Sequence, residues 1–154
     1  MIDQTPRDIA ATLFKFVPKE EGDVWYEPFK GEGAFYDLMP EPKFYSEINE
    51  GLDMFDNTRR CDRIVTNPPF AIVINGEKMN GTIPTLEKCF EVTNKSVSYL
   101  INLKCLNALT PVRLRRYSDA GWNITFLHVL NISLWFGRYY FITFERGKPS
   151  IISF

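Results

Sequence analysis

Residues 62–70, Asp62-Arg63-Ile64-Val65-Thr66-Asn67-Pro68-Pro69-Phe70, constrain this chain more than any other stretch. Ile64 and Val65 read as a short buried strand, and Asn67 stands where that strand stops. Asn67 and Pro68 each precede a proline, which pushes both toward extended or polyproline geometry. Neither proline carries an N–H, so their carbonyls remain to accept from something else. The backbone should therefore leave the sheet stiff and stretched. A side-chain amide oxygen, a main-chain oxygen and the Phe70 ring then come close together. Such a constellation suits a planar –NH2 group. For the stretch taken alone, an ordinary proline turn is the alternative.

Strand and helix signals alternate on either side of it. Thr5-Pro6-Arg7-Asp8 is a helix start, with Thr5 as N-cap, Pro6 in the first helical position and Asp8 three after the cap. Ile9, Leu13 and Phe16 then line one face, and Val17-Pro18 ends the helix. Val24-Trp25-Tyr26 predicts a first strand, which runs through Gly31 and Gly33 into a helix-capable segment, 34–39. Residues 43–46 predict a second strand, ending at Glu47. Residues 50–56 are short and mixed. Residues 71–84, with Asn75, Gly76, Asn80, Gly81 and Pro84, read as a mobile loop. A helix near 85–93 turns Leu86, Cys89 and Phe90 inward, and 97–103 predicts a strand. Thr110-Pro111 opens a further helix that Gly121 ends. Residues 124–129 and 139–144 close the chain as an antiparallel pair. Alternation argues for a mainly parallel sheet with helices on both faces, made mixed by the closing pair.

A length of 154 residues predicts one domain. Eighteen Lys and Arg against nineteen Asp and Glu give a net charge of −1, unlike the basic balance of a strong nucleic-acid binder. Contact with nucleic acid would need a local patch or a partner. Two basic clusters, Arg59/Arg60/Arg63 and Arg113/Arg115/Arg116, are candidates for phosphate contact or plain solvated surface. Cys61, Cys89 and Cys105 form no Cys-x-x-Cys, and with His128 as the one histidine no metal-ligand set is expected. Unpaired cysteines suggest a reducing compartment. Asp3, Arg7 and Asp8 interrupt any signal peptide, and no apolar run approaches the ~20 residues that span a bilayer. A soluble, intracellular, cytoplasmic protein without membrane contact is expected. His128, in an apolar strand, reads as a packed histidine. Trp135-Phe136 and Tyr139-Tyr140-Phe141 read first as core and next as a subunit interface.

The glycine turn and the acids around it carry the remaining chemistry. Gly31 and Gly33 allow positive φ and close ligand approach. A dinucleotide fold needs a third glycine three residues after the second, and Tyr36 stands there instead. No Gly-Lys-Ser/Thr is present either. An acidic entry at Glu27 suits a ligand without a pyrophosphate. Glu47, twenty residues after Glu27, ends the second strand, where a carboxylate can accept from ribose hydroxyls. A solvated glutamate is the alternative.

Taken together and in order, these residues resemble the class I S-adenosylmethionine-dependent methyltransferases, and within them the amino-methyltransferases acting on adenine N6. Thr5-Pro6 resembles the N-terminal cofactor motif. Glu27-Pro28-Phe29-Lys30-Gly31-Glu32-Gly33-Ala34 resembles Asp-Pro-Phe-x-Gly-x-Gly-Ala. Glu47 resembles the ribose-binding acid, and Asp53-Met54-Phe55 the segment near the cofactor adenine. Asn67-Pro68-Pro69-Phe70 resembles the catalytic Asn/Asp-Pro-Pro-Tyr/Phe motif. The resemblance implies a Rossmann-like, mostly parallel seven-stranded sheet with helices on both faces and an antiparallel C-terminal strand. It implies a single catalytic domain over 1–154; the chain departs from the large DNA methyltransferases in that the length after Asn67–Phe70 is expected to finish the sheet and leave no separate target-recognition domain. S-adenosylmethionine is the implied cofactor. Thr5, Pro6, Glu27, Pro28, Phe29 and the turn at Gly31 and Gly33 would hold its methionine part. Glu47 would hold its ribose, and Asp53 with Phe55 its adenine, although Asp56 could serve in place of Asp53. Asn67, Pro68, Pro69 and Phe70 would hold the target base.

DNA is the implied partner, with RNA as the alternative. A homodimer or a partner subunit would supply target recognition, or the specificity would be relaxed. Adenine-N6 methylation of DNA is the first expectation. Amino-methylation of RNA adenine or guanine is the second, and methylation of a protein glutamine amide the third. A non-catalytic, cofactor-binding subunit is the reading outside enzymes.

Overall fold

The computed structural model describes residues 4–135 and 137–154; Asp3 and Phe136, which enter the sequence reading, lie outside them. Helix α1 (Arg7–Phe14) precedes strands β1 (Trp25–Glu27), β2 (Lys43–Tyr45) and β3 (Cys61–Thr66). A hairpin of β4 (Ala71–Ile74) and β5 (Glu77–Asn80) follows. Next come α2 (Thr82–Val92), β6 (Thr93–Asn102), α3 (Leu103–Asn107) and α4 (Pro111–Asp119). Strands β7 (Trp122–Asn131) and β8 (Arg138–Arg146) close the fold.

The main sheet runs β2-β1-β3-β6-β8-β7. The first four strands pair in parallel, and β8 pairs antiparallel with both β6 and β7. Among the described residues the sheet therefore has six strands rather than seven. The segment between β2 and β3 folds into two 3-10 turns, Ile48–Glu50 and Met54–Asp56, and adds no strand beyond β2.

Two-residue alternation splits the core into two layers. Tyr26, Ile64, Val97, Tyr99, Ile142 and Phe144 face α2 and α4. Trp25, Val65, Leu100 and Phe141 face α1. A bulge between Ile124 and Phe126 switches the layer that β7 serves: Trp122 and Ile124 join the first, Phe126 and Leu130 the second. Full burial of each large apolar side chain stabilises by about 1.5–3 kcal/mol.

Several expectations change in detail. Helix α1 starts after Pro6, and no side chain caps it, because Thr5 is buried against the sheet edge instead. Its inward face is Ala10, Leu13 and Phe14, with Val17 just beyond; Phe16 lies past the helix end and is 41% exposed. Residues 34–39 make only a 3-10 turn, Tyr36–Leu38. Residues 71–84 are ordered as the hairpin and the start of α2. Asn75 and Gly76 both take positive φ (52° and 78°), the two-residue geometry that matches the twist of paired strands. Helix α4 follows its signal closely, with Thr110 accepting from the Arg113 N–H at 3.3 Å.

The basic clusters are largely committed to the protein. Arg63 is buried and pairs with buried Asp23 and with Glu20, both at 2.8 Å. Burial alone would raise the Asp23 pKa, but Lys95 and Arg63 outweigh it and hold the carboxyl below its ordinary value. Arg59 stacks on Phe44, Arg60 bonds Asn94 and the Glu91 carbonyl, and Arg116 pairs with Glu87. His128 is half-buried against the Phe16 and Phe126 rings. The three cysteines are buried and unpaired, and among the described residues no helix is long and apolar enough to cross a membrane.

Candidate ligand cleft at the carboxyl ends of the strands

The chain leaves β1 toward β2 on one side and returns to β3 on the other. Such a reversal opens a crevice beyond the carboxyl ends of parallel strands. A cleft of about 580 Å³ lies there, and Thr5, Glu27, Phe29, Gly31, Glu47 and Asn67 all line it. Residues from 5 to 67 in the chain are thus gathered at one sheet edge.

Glu27 ends β1 and is 1% exposed. One carboxylate oxygen accepts from the Phe29 N–H at 2.8 Å. Burial raises its pKa and the Glu47 charge adds to the rise, while the nearby Thr66 hydroxyl and the Phe29 N–H hold it back, leaving it pushed up to about 8. Thr66 Oγ1 is buried without a well-formed hydrogen bond, so its pull on Glu27 is one of proximity. A carboxyl in this state would gain from a cation beside it.

Glu47 braces the cleft wall. Its carboxylate accepts from the Gly31 N–H at 2.9 Å and from the Asn49 N–H at 3.1 Å, tying the glycine turn to the following 3-10 turn. Gly31 has φ +53°, and a Cβ there would stand 2.5 Å from Gln4 Oε1. Gln4 uses that oxygen to accept from the Glu32 N–H at 3.0 Å, while Arg7 donates to the Glu32 carbonyl and pairs with Asp37. The segment before α1 is thereby strapped across the glycine turn. No sequence pattern marks Gln4 for this place, because its partners lie some thirty residues on.

Among the described residues the carboxylates lining this cleft are Glu27, Glu32, Glu47 and Glu50, against one cation, Lys30. Lys30 itself sits over the Tyr45 ring at 4.3 Å. The glycine turn leads into a 3-10 turn, so no helix amide cluster faces the cleft to receive a pyrophosphate.

The remaining expected site residues are not among those that line the cleft. Pro28 and Gly33 are buried, and Pro6 is half-buried. Asp53 accepts from the Phe55 N–H at 2.9 Å and caps its own 3-10 turn, with Phe55 packed on the first core layer. Pro68 is buried, Pro69 half-buried, and Phe70 37% exposed. Their course is held by Gly81, whose N–H donates to the Phe70 carbonyl at 2.8 Å. A Cβ on Gly81 would stand 2.6 Å from the Pro69 carbonyl oxygen. Gly81 is thus a positioning residue for the Asn67–Phe70 stretch.

No family model and no curated protein matches the chain. Solved structures do share its fold. A candidate RNA methyltransferase from Pyrococcus horikoshii superposes with a TM-score of 0.68 at 18% identity, over 93% of this chain and 85% of that one. The modification subunit of a candidate type I restriction enzyme from Vibrio vulnificus gives 0.67 at 14% identity; it matches 96% of this chain, which spans 45% of that subunit. A magnesium protoporphyrin IX methyltransferase from Synechocystis, solved with bound S-adenosylmethionine, gives 0.58 at 10% identity over 90% and 76%. These likenesses establish a Rossmann-like methyltransferase fold.

Proposed function

We propose that the chain transfers a methyl group from S-adenosylmethionine to the N6 amino group of adenine in DNA. The observation that carries this reading is the meeting of Asn67 with Glu27 and Glu47 in one acidic cleft. An amine acceptor and an acid-lined pocket are the two halves such a transfer needs.

The cleft suits that donor. Glu27, buried and held mostly protonated near neutral pH, would ionise against the ammonium of the methionine part. Thr5 and the Gly31 turn would hold the rest of that part, and Glu47 would meet the ribose. Asp53 would meet the adenine of the cofactor from its 3-10 turn. When bound, S-adenosylmethionine supplies an electrophilic methyl carbon whose bond to a cationic sulfur breaks as the N–C bond forms, leaving a neutral thioether.

The residues of this chain prepare the nitrogen. An exocyclic adenine amine is a weak nucleophile because its lone pair is delocalised into the ring. Asn67 Oδ1 and the Pro68 carbonyl would each accept one of its N–H bonds, which turns the nitrogen tetrahedral and aims its lone pair at the methyl carbon. After transfer the nitrogen carries an extra proton, which passes to solvent and leaves the neutral methylated amine. Positioning supplies much of the acceleration, and no residue with a tuned pKa is needed as a base before transfer. Phe70 would stack on the target base. Aromatic stacking returns roughly 1–3 kcal/mol; in a duplex the base would first have to be flipped out at a cost of a few kcal/mol, which a single strand avoids.

Amino-methylation of RNA is the second reading, favoured by the likeness to the archaeal candidate RNA methyltransferase. One assay separates them: labelled methyl from the cofactor is offered to DNA, RNA and protein pools, and the labelled products are hydrolysed and identified. N6-methyladenine from DNA is expected. Label confined to RNA would move the assignment to the second reading, and label in protein glutamine would overturn both.

A further inference from the structure

A second cleft, of about 750 Å³, opens beyond the ends of β6 and β7 and the start of β8. Asn102, Lys104, Trp135, Arg138 and Tyr140 line it. It lies on the same sheet edge as Asn67, because Thr66 pairs with Tyr99 and β6 runs on to Asn102. Strand spacing and rise put the backbone at Asn102 about 8 Å from that at Asn67. At ~3.4 Å per nucleotide in a stacked strand, that is two to three nucleotides.

The chemistry of this cleft is the reverse of the first. Among the described residues no carboxylate lines it. Lys104 and Arg138 are exposed, and among the described residues neither side chain makes an ion pair or a hydrogen bond. Most arginines of the two sequence clusters are committed elsewhere, whereas these two cations line one cleft together. Trp135 is half-buried and braced against Tyr139 at 4.7 Å between ring centroids. A ring already fixed by packing loses little entropy when a base stacks on it. Tyr140 supplies a second half-buried ring.

We infer that this cleft holds a single-stranded DNA segment flanking the target adenine, with bases on Trp135 and Tyr140 and phosphates at Lys104 and Arg138; the inference rests on the methyl-transfer reading. Charge complementarity selects a polyanion, and the rings select bases that are not already stacked in a duplex. Two cations suit one backbone rather than the two of a double helix. The net charge of −1 fits binding confined to a local patch.

Fluorescence anisotropy with a labelled nine-nucleotide single-stranded DNA containing one adenine tests it. The double variant Lys104→Glu/Arg138→Glu should bind at least tenfold more weakly than wild type. Its log K against log salt slope should be shallower by about 1.4, the loss of two phosphate contacts. Arg115→Glu, an exposed arginine on α4, should change neither. Equal affinity and slope in the double variant would overturn the inference. So would tighter wild-type binding of the duplex, or of RNA of the same sequence. Calorimetry with the cofactor separates the two claims. Cofactor affinity should be unchanged in the double variant. A wild type that binds the strand in this way but takes up no cofactor sinks the methyl-transfer reading and leaves the strand site standing.

Discussion

Two clefts share one edge of the sheet and differ in sign. Among the described residues the one over β1 and β2 is lined by four glutamates and one lysine; the one over β6, β7 and β8 has a lysine, an arginine and two aromatic rings, with no acid. Asn67 ends the strand that runs between them. A near-neutral chain has thus sorted its charges by region rather than by total. The lesson is that net charge speaks to the whole molecule, whereas ligand choice is local. On the proposed function a cationic donor would use the acidic side and a polyanionic acceptor the basic side, with Asn67 between them.

The largest expected effect falls on the junction itself. Asn67→Ala should lower methyl transfer by roughly 10²–10³-fold or more, as does loss of one oriented polar group in a transition state. Cofactor affinity, read by calorimetry, should stay within about threefold of wild type. Normal turnover by this variant would break the link between the two clefts.

Next in size is the buried acid on the acidic side. Glu27 has its folded pKa raised from 4.5 to about 8. The folded state therefore keeps a proton that the unfolded chain gives up. The stability this confers is fully present below pH 4.5 and is lost as pH rises through about 8. The loss amounts to something on the order of 4 kcal/mol. Glu27→Gln should flatten that pH dependence in denaturant titrations, since an amide can still accept from the Phe29 N–H and can donate to Thr66. A wild-type stability that does not fall between pH 5 and 8 would contradict the assigned burial.

Smaller still is the effect of the glycine that holds the junction from behind. Gly81→Ala places a Cβ 2.6 Å from the Pro69 carbonyl oxygen and 2.9 Å from Ile72. It should cost about 1–3 kcal/mol of stability. It should also lower turnover more than cofactor affinity, because it shifts the Asn67–Phe70 stretch and not the glycine turn. Equal loss in both would place Gly81 in the general fold rather than behind the motif.

What could be read from the chain and what could not divides along the same physical line. Most local signals survived: the strand that stops before Asn67, the Thr110-Pro111 cap, the glycine turn, and the antiparallel pair at the end all rest on neighbours in sequence, whereas the Thr5 cap and the helix over 34–39 did not form. Long-range contacts did not. Arg63 looked like part of an exposed basic patch until Asp23, forty residues away, was found beside it. Gln4 and Gly81 matter through contacts with residues 31–32 and 69–70, and nothing near them in sequence announces it. The hairpin of β4 and β5 was legible after all, since Asn75-Gly76 is a strong two-residue turn signal; the surrounding polar residues masked it. The seventh strand expected from resemblance was absent from the described residues because 46–60 folded into turns instead.

The most direct test of the acidic cleft is calorimetric titration of S-adenosylmethionine into the protein between pH 6 and 7.5, in buffers of different ionisation enthalpy. One-to-one binding that tightens as pH rises, with release of close to one proton at the lower end of that range, is the predicted result. Glu27→Gln should abolish the proton release and weaken binding. Absence of binding, or binding with no proton released from wild type, would contradict the assignment of Glu27 to the cationic end of the donor.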